Sequence, residues 1–271
     1  MNFAYLIEQF GIFQTWLIAT GVQFGRYVVF ASILFSIFYV LWHKNWQARR
    51  IQKRPNKNKQ FQTEIMYSLL SAGIFGVIAI GIGLAKKAGY TMIYTDIADY
   101  GWVYFVFSLV FITFLHDTYF YWTHRLMHHP KIFKWVHKVH HLSHNPSPWA
   151  AMSFHPLEAI IEAGIILVVF MMPLHSLVIF IFFTLSLAVN MLGHLGYELY
   201  PKNFTRHWFG RWQNNATHHN MHHQLVKCNY GLYFNFWDTI MGTNHPQYLQ
   251  RYDEVTSLEE YNEVYEMQKT K

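Results

Sequence analysis

A chain of 271 residues is one large domain or two ordinary ones. Its 52% hydrophobic and 13% charged residues exclude the disordered and highly solvated classes, since typical soluble domains carry roughly 25% charged residues. A single cysteine excludes a disulfide scaffold, a four-thiolate iron–sulfur cluster and a zinc ribbon, and the net charge of +6 comes from one local cluster.

The apolar residues are strongly aromatic and run in long blocks, which reads as a membrane protein with aromatic belts and ring-lined cavities. Met1 to Gln9 carry Glu8 and no positive charge, unlike a cleaved signal peptide. An ambiguous lead-in, interfacial or half-inserted, covers 10–24. The first firm span follows from Arg26 to Trp42. Seven basic residues then crowd between Lys44 and Lys59. Between two apolar runs, such a cluster reads as a cytoplasmic loop (43–62) under the positive-inside rule rather than as a nucleic-acid surface.

Ile65 to Ala85 is uncharged for 21 residues, enough for a helix to cross a bilayer. A polar connection leads to a third span, 101–115. The chain then turns rich in His, Trp and Lys/Arg up to His144, and prolines break it between 145 and 158. The stretch from Ala159 to Leu192, interrupted by Pro173, reads as two helices that dip in and return, or one kinked span with an interfacial helix. Residues 194–245 are again His-rich. The end of the chain is acidic and reads as a solvated helix. The expected fold is an all-α polytopic membrane protein of about four spans or re-entrant hairpins, capped by a His-rich helical layer. With the basic loop cytoplasmic, both His-rich regions emerge on that same side.

The eighteen histidines outnumber the fifteen carboxylates. His124 and His128 are spaced i, i+4, whereas His137/His140/His141 and His219/His222/His223 are both i, i+3, i+4, the spacings that share a helix face. These eight imidazoles exceed what one metal accepts, so two metals are expected. Uncompensated, so many titratable rings at membrane boundaries would repel one another. His43, His175, His207 and His245 read instead as surface or capping residues. Structural zinc would want thiolates, a zincin would need H-E-x-x-H, and soluble di-iron bundles use Glu-x-x-His. A histidine-rich dinuclear iron site remains. Two irons can share the two-electron reduction of dioxygen and yield an oxidant able to remove hydrogen from an unactivated C–H bond.

H-R-L-M-H at 124–128, H-K-V-H-H at 137–141 and H-H-N-M-H-H at 218–223 resemble the three histidine boxes of the fatty acid hydroxylase/sterol desaturase superfamily. D-T-Y-F-Y-W-T-H-R before the first box, S-F-H-P-L-E at 153–158, G-H-L-G-Y-E at 193–198 and N-Y-G-L-Y-F-N-F-W-D-T-I-M-G-T at 229–243 extend the resemblance across 110–245. The branch it is most similar to is the bacterial sterol desaturase-like proteins, with likeness to sterol C-5 desaturases.

The resemblance implies a membrane di-iron oxygenase that hydroxylates or desaturates a sterol or fatty acyl lipid with dioxygen and two external electrons. It implies His124, His128, His137, His140, His141, His219, His222 and His223 as box ligands, with His194 as a further ligand. His129 competes with His128, and the last ligand is left among His155, His218, Glu198 and water. His116 is placed beside the ligands. Asp117, Glu158, Glu198 and Asp238 are candidates to orient imidazole N–H groups. Trp122, Trp135, Trp149, Phe154 and Trp237 line a substrate tunnel or serve as interfacial belt residues.

The implied arrangement is an N-terminal transmembrane region (1–109), the catalytic domain (110–245) and an acidic cytoplasmic tail (246–271). It lies in a bacterial inner membrane, or in endoplasmic reticulum in a eukaryote, with the site on the cytoplasmic side. No stretch reads as a haem, flavin or iron–sulfur domain; Gly-x-Gly at 81–83 lacks the strand–helix setting of a dinucleotide fold. A ferredoxin or small cytochrome with its reductase is therefore expected as donor. Arg125, Lys131, Lys134, Lys138 and the 44–59 loop would meet that partner or anionic headgroups. The alternatives are a zinc-dependent membrane hydrolase, with Glu198 as base, and a metal or haem transport protein.

Overall fold

The structure, a computed structural model, describes residues 3–257. The acidic residues Glu259, Glu260, Glu263 and Glu266 of the expected tail lie outside the described residues. Residues 248–257 before them are helical.

Among the described residues, four helical segments are long and apolar enough to cross a membrane. Helix α1 (Phe3–Phe35) absorbs the ambiguous lead-in, kinks at Gly11 (φ 78°), and runs on as a π-helical segment, Ser36–Leu41. Helix α2 is Asn58–Lys87, and a Lys87–Glu8 ion pair ties its end to the start of α1. A short strand β1 (Ile93–Tyr94) precedes α3 (Gly101–Met127), which continues past the expected end of the third span and carries the first histidine box on its last turn.

Helix α4 (Pro130–Val136) is brief, and α5 (Pro156–Glu162) passes into a 3₁₀ segment, Ala163–Phe170. Seven α-helical and eight 3₁₀ residues rise about 26 Å together, so this leg reaches the far side, where Val169 O accepts from Met92 N. There β2 (Leu174–His175) pairs parallel with β1. Helix α6 (Ser176–Gly193) returns. Of the two readings of 159–192, the dip and return is the observed one. Helices α7 (Ala216–Leu225) and α8 (Phe236–Ile240) complete the cap.

Packing explains why the cap is fixed to the spans. Tyr27, Ala31 and Ala72 of α1 and α2 form one core with Ala151, Met152, Leu187 and Met191. Tyr27 Oη donates to Trp149 O at 2.7 Å. Ile112 of α3 buries against Val169, Leu174 and Phe182 in a second core. The basic loop is anchored to the cap at Ile51 and Gln52, while Lys44, Lys53, Arg54, Lys57 and Lys59 remain exposed. Ile51 N donates to Gly196 O (3.0 Å), and Gln52 Nε2 donates to His144 O and Asn220 Oδ1 at 2.7 and 2.8 Å. Gly196 (φ +78°) is a required glycine, since a Cβ there would lie 2.7 Å from Tyr39 Oη.

Candidate metal centre

The cap gathers nine imidazoles into two sets whose ligand atoms lie within 4.8 Å of one another: His124, His128, His137, His141 and His222 in one, His140, His194, His219 and His223 in the other. Each box pair spaced i, i+4 stays together: 124 with 128, 137 with 141, 219 with 223. The residues at i+3, His140 and His222, cross to the opposite set. Successive helical residues point about 100° apart, so His222 and His223 aim at separate centres. The sequence expectation of one shared face per box is thus corrected for the third box. The second box is not an α-helix. Pro130 starts α4, the helix ends at Val136, and His137 follows in its cap (φ −113°, ψ −11°) before a 3₁₀ turn, His140–Leu142.

Proton positions follow from what the other ring nitrogen faces. His124 Nδ1 faces Tyr230 O at 2.8 Å, His222 Nδ1 faces Cys228 O at 2.7 Å, and His194 Nδ1 faces Asn190 O at 2.7 Å. His140 Nδ1 faces Ser153 O at 3.3 Å and His137 Nδ1 faces Glu158 Oε1 at 2.7 Å. Each Nδ1 must therefore donate, leaving a lone pair on Nε2. Those Nε2 atoms converge in pairs, His124 on His137 at 3.0 Å and His194 on His140 at 3.2 Å. Acceptors facing acceptors at that separation fit a cation between them, and an all-imidazole donor set suits iron, copper, nickel or zinc.

Burial keeps these rings neutral. Desolvation holds His137, His140, His141, His219, His222 and His223 well below 6.5, and lowers His194 to about 4. Unfolding restores ordinary imidazoles, so below pH 6.5 the unfolded chain binds more protons than the folded one. Stability therefore falls as pH drops from about 6.5 towards the folded values, by about 1.4 kcal/mol per pH unit per ring. The melting temperature of metal-stripped protein in detergent is expected to fall steadily between pH 7 and 5. A flat profile would contradict a neutral, buried cluster.

His155 and His218 fall outside both sets. His155 caps α5, with Nδ1 accepting from Leu157 N at 3.3 Å, and His218 Nε2 meets Asn244 Oδ1 at 3.0 Å. His129 caps α4 by the same turn, while His128 joins the cluster. The histidine before Pro130 or Pro156 is held extended by the ring that follows. His175, His207 and His245 make the same local contact with a backbone N–H two residues on.

Of the four carboxylates expected to orient imidazoles, only Glu158 touches a clustered ring. Asp117 Oδ1 accepts from Tyr233 N and Phe234 N at 3.0 and 3.1 Å. Glu198 Oε2 accepts from Thr217 N and Oγ1 at 2.9 and 2.6 Å, and Oε1 from Tyr200 N at 3.0 Å. With both oxygens engaged in holding α7, Glu198 has no role as the base of a hydrolase. Asp238 holds the 230–231 turn. The carbonyls of Asn190, Cys228 and Tyr230 do the orienting instead, and residue type carries no signal for a main-chain acceptor. His116, expected beside the ligands, packs instead on Phe120, Phe182 and Tyr233, its Nδ1 2.8 Å from Tyr233 Oη.

A cavity of about 470 Å³ opens among α1, α2, α3, α5 and α6. Phe120 and Phe154 line it, and their rings pack on His124 (4.9 Å) and His140 (5.3 Å), one ligand from each set. Of the proposed tunnel aromatics only Phe154 faces it. Trp122 and Trp135 are exposed beside Arg125 and Lys134, as belt residues are. Trp149 packs on Tyr27, and Trp237 donates to Thr118 Oγ1.

Residues 109–243 match the family model described as fatty acid hydroxylase. The chain is 33% identical over 198 residues to a Delta(7)-sterol 5(6)-desaturase of Gibberella zeae, covering 72% of this chain and 60% of that protein. It is 30% identical over 239 residues to Lathosterol oxidase of Rattus norvegicus (86% and 76%). It is 34% identical over 157 residues to a C-4 methylsterol oxidase of Schizosaccharomyces pombe (54% and 50%). No solved structure gives a significant match. The family match spans the segment that supplies all nine convergent imidazoles, and the rat protein aligns over most of both chains; the chain belongs to the fatty acid hydroxylase/sterol desaturase superfamily.

Proposed function

We propose that the chain is a membrane di-iron oxygenase that hydroxylates or desaturates a lipid of sterol or fatty acyl type, using dioxygen and two external electrons. The observation that carries this reading is the junction of the two imidazole sets with an apolar cavity whose inner end is Phe120 and Phe154. The relatives' names, a sterol desaturase, a lathosterol oxidase and a methylsterol oxidase, support an oxidoreductase acting on a sterol-type lipid.

His124, His128, His137, His141 and His222 would hold one iron, and His140, His194, His219 and His223 the other. Two irons there would supply the reduction of dioxygen and the removal of hydrogen from an unactivated C–H bond. The protein's own part is placement. Phe120 and Phe154 keep water from the inner end of the cavity and stop the reacting carbon against both sets at once. Glu158 holds the His137 N–H and fixes that ring's tautomer. Hydroxylation and desaturation differ in how closely a second C–H is presented, which cavity shape decides. The exposed Lys131, Lys134 and Lys138 beside Arg125 form the surface proposed for an acidic ferredoxin or small cytochrome. A cytoplasmic placement of that surface, in a bacterial inner membrane, is part of the same proposal.

Mössbauer spectroscopy on protein expressed with labelled iron tests the reading. Two coupled irons per chain, responsive to dioxygen after reduction, are expected. Stoichiometric zinc with no iron, even when iron is supplied anaerobically, would overturn it.

A further inference from the structure

The cap exposes an apolar edge that neither the metal centre nor the cores use. Trp208 and Phe209 stand side by side in the loop between α6 and α7, 75% and 50% exposed, with ring centroids 5.9 Å apart. They are held outward by a braced turn. Trp212 N donates to Phe209 O and Gln213 N to Gly210 O, both at 3.1 Å. Behind the tip Arg206 pairs with Asp253 at 2.7 Å, and Tyr200 stacks on Phe204 at 4.1 Å. Phe236 and Ile240, four residues apart on α8, are also exposed and continue the edge. The Phe236 ring lies 6.2 Å from that of Trp212.

Helix α3 sets the level of this edge. Trp102 and Trp122 are both exposed on that helix, and the rise from one to the other is about 30 Å, the thickness of a hydrocarbon core. Trp122 therefore marks the bilayer boundary on the cap side, and its ring meets Trp237 of α8 at 5.5 Å. The base of the loop lies no higher. Gln213 pairs with Phe234, whose ring stacks on Phe114 at 5.0 Å. Phe114 precedes Trp122 by about 12 Å along α3, towards the bilayer centre. Phe209 and Trp208 follow within a few residues of Gln213, so they stand at the boundary rather than on the crown of the cap.

Contiguous exposed rings mark a surface that something covers, and the charges beside them choose the occupant. The Arg211 guanidinium lies 4.8 Å from the Trp212 ring, and that of Arg125 lies 5.9 Å from Trp122. Rings at the boundary with cations beside them match the acyl-chain roots and phosphates of a lipid leaflet. A second copy docked by the same edge would set arginine against arginine. We propose that the 204–212 loop is a foot of the cap set in the lipid headgroup layer, with Trp208 and Phe209 reaching the acyl-chain boundary. It gives the cap a hold on the bilayer that the spans do not supply. The inference rests on the four spans and not on the oxygenase reading.

The test places an NBD dye on W208C or F209C in full-length, metal-loaded protein reconstituted into nanodiscs of phosphatidylcholine and phosphatidylglycerol. The one native thiol, Cys228, is buried, so unmutated protein is the blank. Quenching by aqueous iodide is compared with quenching by lipids that carry a nitroxide near the headgroup. K57C, in the exposed basic loop, is the water reference, and V103C, 87% exposed on α3, is the bilayer reference. Labels at 208 and 209 are expected to be quenched by the nitroxide lipid as at V103C and spared by iodide relative to K57C. Quenching like that at K57C overturns the proposal. Shielding from both quenchers overturns it too, since protein would then cover the edge. A dye can draw itself into lipid, so the anchor is also tested by its own loss. In F209C carrying W208S the label should become more accessible to iodide than in F209C alone, and unchanged accessibility overturns the anchor. Both positions are exposed, so neither change opens a core. Iron content and turnover of the same samples bear on the oxygenase reading alone.

Discussion

Replacing His194 with alanine is expected to reduce bound metal from two ions per chain to one and to abolish lipid oxidation while the helices stay folded. His194 is the hub of its set, with Nε2 at 3.2 Å from His140, 3.0 Å from His219 and 3.1 Å from His223. Its own orientation is fixed by the Asn190 carbonyl at the end of α6. Without it three lone pairs remain, spread around a gap on one side. The loss in turnover should exceed the roughly 10–100-fold that follows removal of a group merely supporting a ligand. His207, whose Nδ1 only accepts from Phe209 N in a local turn, is the matched control, and H207A should keep both metals and full turnover. Metal analysis, far-UV circular dichroism and product assay on the two variants decide the matter. Two metals and undiminished turnover in H194A would remove His194 from the site.

That His194 belongs with the boxes was legible only from the resemblance, because a lone histidine at a helix end has no periodicity to mark it. The boxes themselves were legible from spacing, since i, i+4 pairs survive as pairs in the folded protein. What spacing could not show is that His140 and His222 leave their neighbours for the other set. That division depends on the turn after Val136 and on the angle at which α7 enters, both set by tertiary packing. The spans were legible because uncharged runs of bilayer length have few other uses. The stretch from Ala159 to Leu192 was ambiguous because it is long for one span and Pro173 interrupts it, while the fifteen residues from Pro156 to Phe170 are too few for an α-helical crossing. The 3₁₀ rise lengthens that leg, and no apolar pattern announces that change of helix type. That the basic loop is also anchored was not legible, because charge counts do not reveal that Ile51 and Gln52 are hydrogen-bonded into the cap while Lys53, Arg54 and Lys57 beside them stay exposed.

The second large effect is expected at Asp238, which contacts none of the nine clustered rings. Its carboxylate is fully buried and accepts three hydrogen bonds: Oδ1 from Tyr230 N at 2.9 Å and Thr243 Oγ1 at 2.7 Å, Oδ2 from Gly231 N at 2.7 Å. The turn it holds is crowded. A Cβ on Gly231 would lie 2.6 Å from both Asn214 Nδ2 and Phe234 O, so the backbone can approach the carboxylate only as glycine. The Tyr230 carbonyl in that turn is the group that fixes His124. D238A leaves three buried donors without an acceptor, at about 1–3 kcal/mol each. Even the low end is a sizeable part of the roughly 5–15 kcal/mol that separates folded from unfolded chains. The variant is expected to melt on the order of 10 °C lower and to lose metal from the His124 set before the His194 set. D238N should fall between: an amide oxygen at Oδ1 keeps two of the bonds, but its NH₂ group then faces the Gly231 N–H, donor against donor. Thermal melts read beside metal stoichiometry separate the two consequences. Wild-type melting and two bound metals in D238A would show that the turn, and with it His124, is held by something other than this carboxylate.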